Sequence, residues 1–366
     1  MWYGEIEMKI LHIITNTELG GAQKVCIDLC NSAIKEGHVV AVASMEGGYL
    51  WGQLPSEVNQ YFLKNLVKPI KPLKDIKVIF ELLKVKKAFK PDIIHLHSSK
   101  AGVLGRIIGL GMKNRVVYTV HGFDSIRLVH RVFLPLERLL QHFCGAIIGV
   151  SDYDNKNLKS EKIKKNVSTI YNGISELSIN KESAFPFDVT NKKIVMTIAR
   201  IALPKQFDLF LDVARNFGTD YLFIWIGGEP NLTLEEIYNK YDVPENVKLM
   251  GDVPNASKYI NLCDLFVLFS NFEGLPMTII EAMSQKKAIV ASDVGGIYEL
   301  VDDSNGKLIK NDVEEATNAI KTILKDNSKK NNMEIESYNK YNKNFTLEKM
   351  WESYKNIYEK LINKGN

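Results

Sequence analysis

The sequence predicts an α/β protein made of two doubly wound parallel sheets. Apolar runs of strand length alternate with helical patterns from Lys9 onward, and the same alternation restarts at Lys192. Between the two series, Ser175–Thr190 is polar and irregular, as an interdomain linker would be. A chain of 366 residues also exceeds one typical core, which makes two domains the natural expectation.

Composition narrows the class further. The chain is 45% hydrophobic and 25% charged, with a net charge of +4. No apolar run approaches the roughly 20 residues that a membrane span requires. The opening MWYGEIEMKILHIIT lacks a basic region followed by an apolar core and a small-residue cleavage site, so export is not expected, and Met8 is an alternative start. Cys26 and Cys30 lie one turn apart in a helical pattern, while Cys144 and Cys263 stand alone. With no paired spacing, these four read as small buried hydrophobes of a reducing, cytoplasmic compartment.

The first strand, Lys9–Asn16, leads through Gly20 and Gly21 into a helix that runs to Ile34. The turn carries no G-x-G-x-x-G, which excludes the dinucleotide fingerprint. The segment Tyr61–Lys90 then carries nine lysines against Asp75 and Glu81. Its apolar residues Ile76, Ile79, Phe80, Leu83 and Val85 recur at helical spacing, so they are expected to pack on the sheet. The lysines form either a solvated face or a contact with an anionic membrane surface, and Arg127, Arg131 and Arg138 in segment 127–138 extend the theme. Nucleic acid is not expected, because no recognition helix or stacking motif accompanies the charge.

His95 and His97 alternate on a strand and so share one face, but no third ligand stands close in sequence. His121 ends the strand VVYTV. Asp152 and Asp154 imitate a metal-binding D-x-D, yet they open a helix, where acids favour the dipole; they are read as an N-terminal cap, and no metal is expected. In the second half, Arg200 and Lys205 lie on one strand-to-helix loop with Pro204. Two cations there suit a diphosphate, the guanidinium binding in a fork and the ammonium as a point charge.

The richest stretch is Ser270–Ser284, SNFEGLPMTIIEAMS. A buried-type strand runs into a short turn, and a helix starts at Pro276 as its first residue. The N–H groups of Leu275, Met277 and Thr278 would form an anion site at that helix start. Glu273 and Glu281 flank it, and carboxylates beside a phosphate site make sense as acceptors for sugar hydroxyls. The pattern is that of a nucleotide-sugar cradle.

The string from Glu273 to Ala282 resembles the E-x7-E signature of the retaining GT-B glycosyltransferases of family 4, and Arg200 to Lys205 is similar to that family's R-x4-K. The flanking glycines of the latter are replaced by Ala199 and Gln206, and the usual G-x-G-P reads Gly227-Gly-Glu229-Pro, with Glu229 expected to turn away. HSSKAG, from His97, resembles members that build lipid-linked O-antigen, capsule or N-glycan precursors.

The resemblance implies two facing Rossmann-like domains, 1–175 for the acceptor and 176–344 for the sugar donor. It also implies that a terminal helix, within 345–366, crosses back to the first domain. It implies that Glu281 holds the ribose and that Arg200 and Lys205 hold the diphosphate. Glu273, Leu275, Met277 and Thr278 would orient the transferred sugar, opposite His121. Gly21 would lie near the donor phosphates, and Val253 would offer backbone bonds to the base. Gly20, Ser98, Ser99 and Lys100 would line the acceptor side. The implied enzyme uses a nucleoside-diphosphate sugar, UDP by preference, and a polyprenyl-linked glycan. It needs no metal or other cofactor and works on the inner face of the cell membrane. Two alternatives remain: an epimerase with the same nucleotide pocket, and a non-catalytic nucleotide-sugar-binding partner.

Overall fold

The computed structural model describes residues 7–18, 20–177 and 184–364; Leu19 of the first glycine turn and residues 178–183 of the linker lie outside the described residues. The first series of elements is β1 (Lys9–Ile14), α1 (Gly21–Lys35), β2 (Val39–Ser44), β3 (Asn59–Phe62) and α2 (Pro72–Phe89). It continues with β4 (Ile93–His97), α3 (Ser99–Ile108), β5 (Val116–Val120), α4 (Leu134–Leu140), β6 (Ala146–Gly149), α5 (Asp152–Ser160) and β7 (Val167–Thr169). The second series is β8 (Lys193–Ile198), α6 (Phe207–Ala214), β9 (Tyr221–Ile226), α7 (Leu234–Lys240), β10 (Val247–Leu249) and β11 (Leu265–Leu268). After these come α8 (Met277–Ser284), β12 (Ile289–Ser292), β13 (Gly306–Ile309), α9 (Val313–Lys325), α10 (Asn327–Asn344) and α11 (Leu347–Asn363).

The chain divides into two compact units, with the boundaries at Gly173–Ile174 and Thr346–Leu347, so that α11 belongs to the first unit. The first sheet has the order β3-β2-β1-β4-β5-β6-β7 and the second β10-β9-β8-β11-β12-β13. All pairings within them are parallel. Each order reverses direction beside its first strand, so each sheet has a switch point at the carboxyl ends of its central strands, where open α/β sheets bind ligands. The central strands are buried along their length, which is why they read as nearly continuous apolar runs.

The two faces of the first sheet differ in chemistry. Leu11, Ile13, Leu96 and Tyr118 pack with Val78, Leu82, Leu104 and Leu134 from α2, α3 and α4 in an apolar core. On that side Arg106, fully buried, donates from one terminal nitrogen to both Glu137 carboxylate oxygens at 2.7 and 2.9 Å and from Nε to the Gly102 carbonyl at 2.7 Å, tying α3 to α4. The opposite face carries His12, His95, His97 and Thr119. It is covered by α11, whose Tyr358 hydroxyl lies 2.6 Å from His95 Nδ1 and whose Tyr354 hydroxyl lies 2.9 Å from Thr119 Oγ1. The aromatic stripe of the last helix therefore docks on a polar sheet face.

Three sequence expectations are corrected here. On α2 the residues that pack inward are Val78, Leu82, Val85 and Phe89, whereas Ile76, Phe80 and Leu83 are exposed. The helix carries two apolar stripes about half a turn apart, and only one meets the core. Asp152 and Asp154 do not cap α5: Ser151 is the N-cap, accepting from the Asp154 N–H at 3.0 Å, and Asp154 accepts the Phe123 N–H at 2.8 Å. The arginines of segment 127–138 are not free cations. Arg127 pairs with Asp124, and both Arg131 and Arg138 pair with Glu161.

Candidate active site

The second unit gathers its site residues at the carboxyl edge of its sheet, because five strand-to-helix loops are stitched to one another. The loop after β8 runs antiparallel to the loop after β11: Gln206 N–H donates to the Phe269 carbonyl at 3.0 Å and Asn271 N–H to the Pro204 carbonyl at 2.9 Å. The loops after β9 and β10 join through Gly227 N–H to the Gly251 carbonyl at 2.7 Å, and Ile201 N–H donates to the Gly228 carbonyl at 2.8 Å. Gly227, at φ +131, approaches so closely that a Cβ there would stand 2.1 Å from the Ala199 carbonyl oxygen.

Glu273 sits on this frame under several constraints. Lys205 Nζ makes an ion pair with its Oε1, and Ser270 Oγ donates to the same oxygen at 2.7 Å. Ser270 is itself fully buried. Its N–H donates to Ser292 Oγ at 2.9 Å, and its carbonyl accepts Asn311 Nδ2 at 2.9 Å. Behind the turn, Gly295 at φ +59 leaves no room for a side chain, since a Cβ would lie 1.8 Å from the Glu273 carbonyl oxygen. Gly296 N–H holds the Gly274 carbonyl at 3.0 Å. Lys205 and Glu273 are thus brought together, while Arg200 is exposed and has no ion-pair partner among the described residues.

Helix α8 begins one residue later than expected. Pro276 is its N-cap, with ψ 119, because a β-region cap turns the chain into the helix. The Ile279 and Ile280 N–H groups already bond the Pro276 carbonyl. The N–H groups of Met277 and Thr278 therefore stand outside the helical ladder, as orphan donors at the positive end of the helix dipole. Glu281 follows on the same helix, 8% exposed. Glu229 lines a cleft of about 450 Å³ together with Lys205, Gln206 and Tyr241, but its carboxylate is taken by Lys240 and the Tyr241 hydroxyl. That pairing holds it below the usual carboxylate range. Val253 lies half-buried in the loop after β10.

In the first unit, Gly20 and Gly21 are exposed at the start of α1. Ser98, at φ +85, shares a 2.8 Å hydrogen bond with Thr15, and Ser99 is exposed beside it. Lys100 is spent on the fold: its ammonium donates to the Val67 and Pro69 carbonyls, both at 2.8 Å, and pairs with Asp75 at 2.6 Å. All three donors of an ammonium are used there. His121 is half-buried just beyond β5. Burial pushes its pKa down to about 4, so the imidazole is neutral at pH 7.

Sequence reasoning missed two groups. The Ser270–Ser292–Asn311 lattice that anchors Glu273 joins three loops and has no local signature. His12 joins His95 and His97 only through parallel register, opposite His95 across β1 and β4.

Comparison with known proteins is consistent with this geometry. Residues 19–176 match the family described as Glycosyltransferase Family 4, and residues 179–340 match Glycosyl transferases group 1. The chain is 30% identical to an Escherichia coli UDP-Gal:alpha-D-GlcNAc-diphosphoundecaprenol alpha-1,3-galactosyltransferase, over 98% of each chain. It is 27% identical to the Escherichia coli O-antigen biosynthesis glycosyltransferase WbnH, over 94% of this chain and 97% of that one. Among solved structures, Anabaena Alr3699/HepE in complex with UDP-glucose is similar in fold, with a TM-score of 0.82 and 21% identity over 97% of this chain and 99% of that chain. The doubly wound sheets, the stitched loops and these matches together place the chain in the family 4 glycosyltransferases, with the GT-B fold.

Proposed function

We propose that the protein transfers a hexose or N-acetylhexosamine, with retention of configuration, from a UDP-sugar to a polyprenyl-diphosphate-linked glycan in cell-surface polysaccharide synthesis. The observation that carries this reading is Glu273, fixed by Lys205 and Ser270 on the turn before α8 and followed by Glu281 on that helix. The UDP-Gal donor and diphosphoundecaprenol acceptor of the Escherichia coli relative support the choice of both substrates.

In this reading Glu281 accepts hydrogen bonds from the ribose hydroxyls, and Val253 offers its backbone to the base. Arg200 and Lys205 stabilise the charge that grows on the leaving diphosphate, which is where electrostatic stabilisation has most effect. Gly21 lets backbone approach the phosphates. Glu273, the backbone of Leu275 and the N–H groups of Met277 and Thr278 at the start of α8 orient the transferred sugar, and His121 contributes from the first unit. Retention proceeds by same-face attack through a short-lived oxocarbenium ion and not by the double displacement of retaining glycosidases; a glycosyl adduct trapped on Glu273 would overturn this. No metal or other cofactor is required. Gly20, Ser98 and Ser99 serve the acceptor side; Lys100, with its three donors used, positions the loop instead.

The acceptor's lipid is met at an anionic membrane surface. Leu73, Ile76 and Phe80 stand 80%, 53% and 61% exposed on α2 among exposed Lys71, Lys74, Lys77, Lys84 and Lys87. Val132 and Leu139 are also exposed, 79% and 59%, before and on α4. A lysine-lined hollow of about 360 Å³, formed by Lys86, Lys87 and Lys90 with Leu83 and Met112, closes the C-terminal end of α2. Aliphatic side chains ringed by ammonium groups fit a lipid interface, where each basic residue adds about 1 kcal/mol.

The test is a thermal-shift panel of UDP, GDP, ADP and CMP on the wild type and Glu281→Ala. A ligand at about 100 times its Kd adds about 2.7 kcal/mol. UDP alone should raise the midpoint, and only in the wild type. A midpoint unmoved by every nucleotide would remove the donor site.

A further inference from the structure

Three neutral imidazoles form a file through the first unit. His12 Nδ1 lies 3.0 Å from His97 Nε2, and His97 Nδ1 lies 3.2 Å from His121 Nε2. His97 and His121 stack at 5.5 Å between ring centroids, as do His12 and His97 at 5.2 Å. His95, 4.1 Å from His97, is held apart from the file by Tyr358 and Thr119. Burial holds all four rings well below the usual histidine range, so each carries one N–H.

A file of singly protonated rings can run in only two directions, and each direction fixes every tautomer in it. If His121 donates inward, the last N–H falls on His12 Nε2, which is buried and has no hydrogen-bond partner. That leaves a buried orphan donor, the costlier kind of unmet group. If His12 donates outward from Nδ1, its Nε2 is left as a bare lone pair, an unmet acceptor and not an unmet donor. The outward direction wins, and it ends with His121 accepting at Nε2 and carrying its proton on Nδ1.

We infer that His97 and His12 are positioning residues that hold His121 in the Nδ1–H tautomer, so that its outer nitrogen presents a hydrogen-bond donor to a sugar oxygen. The role of His121 rests on the proposed transferase reading; the tautomer does not. A metal on the His12, Cys26 and His97 side chains is the rival account, since one ligand atom from each lies within 4.8 Å of the others. It would have to take a His97 nitrogen, and both of those are paired within the file.

The experiment uses full-length protein labelled with ¹⁵N-histidine, whose long-range ¹H–¹⁵N spectra distinguish Nδ1–H from Nε2–H. The wild type and His97→Asn, whose amide can replace the Nδ1–H donor, should show His121 as Nδ1–H. His97→Leu should convert His121 to the Nε2–H form. In parallel, kcat should fall about tenfold in His97→Leu with the KM for the sugar donor within twofold, and His97→Asn should recover most of it. The inference is overturned if His121 is Nε2–H in the wild type, if His97→Leu leaves its tautomer unchanged, or if the purified protein holds one equivalent of zinc. A tautomer that switches while kcat does not move overturns the functional half. Full activity in His121→Ala would instead overturn the site assignment beneath it.

Discussion

Acidification should destabilise the first unit before it reaches the range in which carboxylates titrate. His12, His95 and His97 have no exposed surface, and burial depresses their pKa values, that of His12 to about 3. In the unfolded chain each returns to about 6.5. A base whose folded pKa is depressed contributes stability that is complete above the unfolded pKa and is lost as pH falls toward the folded value. Between pH 6.5 and pH 5 the His12 imidazole, with its folded pKa at about 3, therefore removes about 2 kcal/mol, and His95 and His97 act in the same direction. The His12 share alone is a sizeable part of the 5–15 kcal/mol that stabilises an ordinary domain. The groups packed against them, Thr119, Tyr354, Tyr358 and Cys26, supply no negative charge to hold a proton. Hydrogen-exchange protection of β1, β4 and α11, compared between pH 7 and pH 5, should fall with a slope of more than one proton, while that of β8 and β9 in the other unit should not follow it. His97→Leu should lower the slope by one proton. A slope below a single proton in the wild type would refute the assignment of these rings as buried and neutral.

Other outcomes follow from named contacts. Glu137→Ala leaves the Arg106 guanidinium buried without its partner and should cost about 3–5 kcal/mol in a denaturation midpoint. The double change Arg106→Met with Glu137→Leu should recover most of that loss. Gly295→Ala, whose Cβ would strike the Glu273 carbonyl at φ +59, should displace the turn and abolish transferase activity while the first unit keeps its hydrogen-exchange protection. Phe80→Glu with Leu73→Glu should weaken sedimentation with anionic vesicles several-fold and leave UDP binding unchanged; equal binding to neutral vesicles by the wild type would count against the lysine contribution.

Much of the architecture is written locally. Each strand, turn and helix fits within about twenty consecutive residues, and the strand–turn–helix of Leu265–Ser284 carries Glu273, the helix start and Glu281 in one string. Periodicity decided that α2 is a helix, yet it did not decide which of its two apolar stripes meets the core, because helical spacing is the same on both sides. Lys100 and Glu229 show the same limit. The charge is visible in the sequence, but packing decides what consumes it: Lys100 meets the Val67 and Pro69 carbonyls from before β4, and Glu229 meets Lys240 at the end of α7.

The amino-acid sequence by itself determined the fold class, the family and the chemical types at the candidate donor site. Tertiary structure alone decided how those groups are held. Ser270, Ser292 and Asn311 meet at Glu273 only when β11, β12 and β13 align. His12, His97 and His121 become one file only when β1, β4 and β5 stand side by side beneath α11. The physical reason is parallel pairing. It brings together residues separated by whole helices, and no local pattern records which side chains will then share a proton.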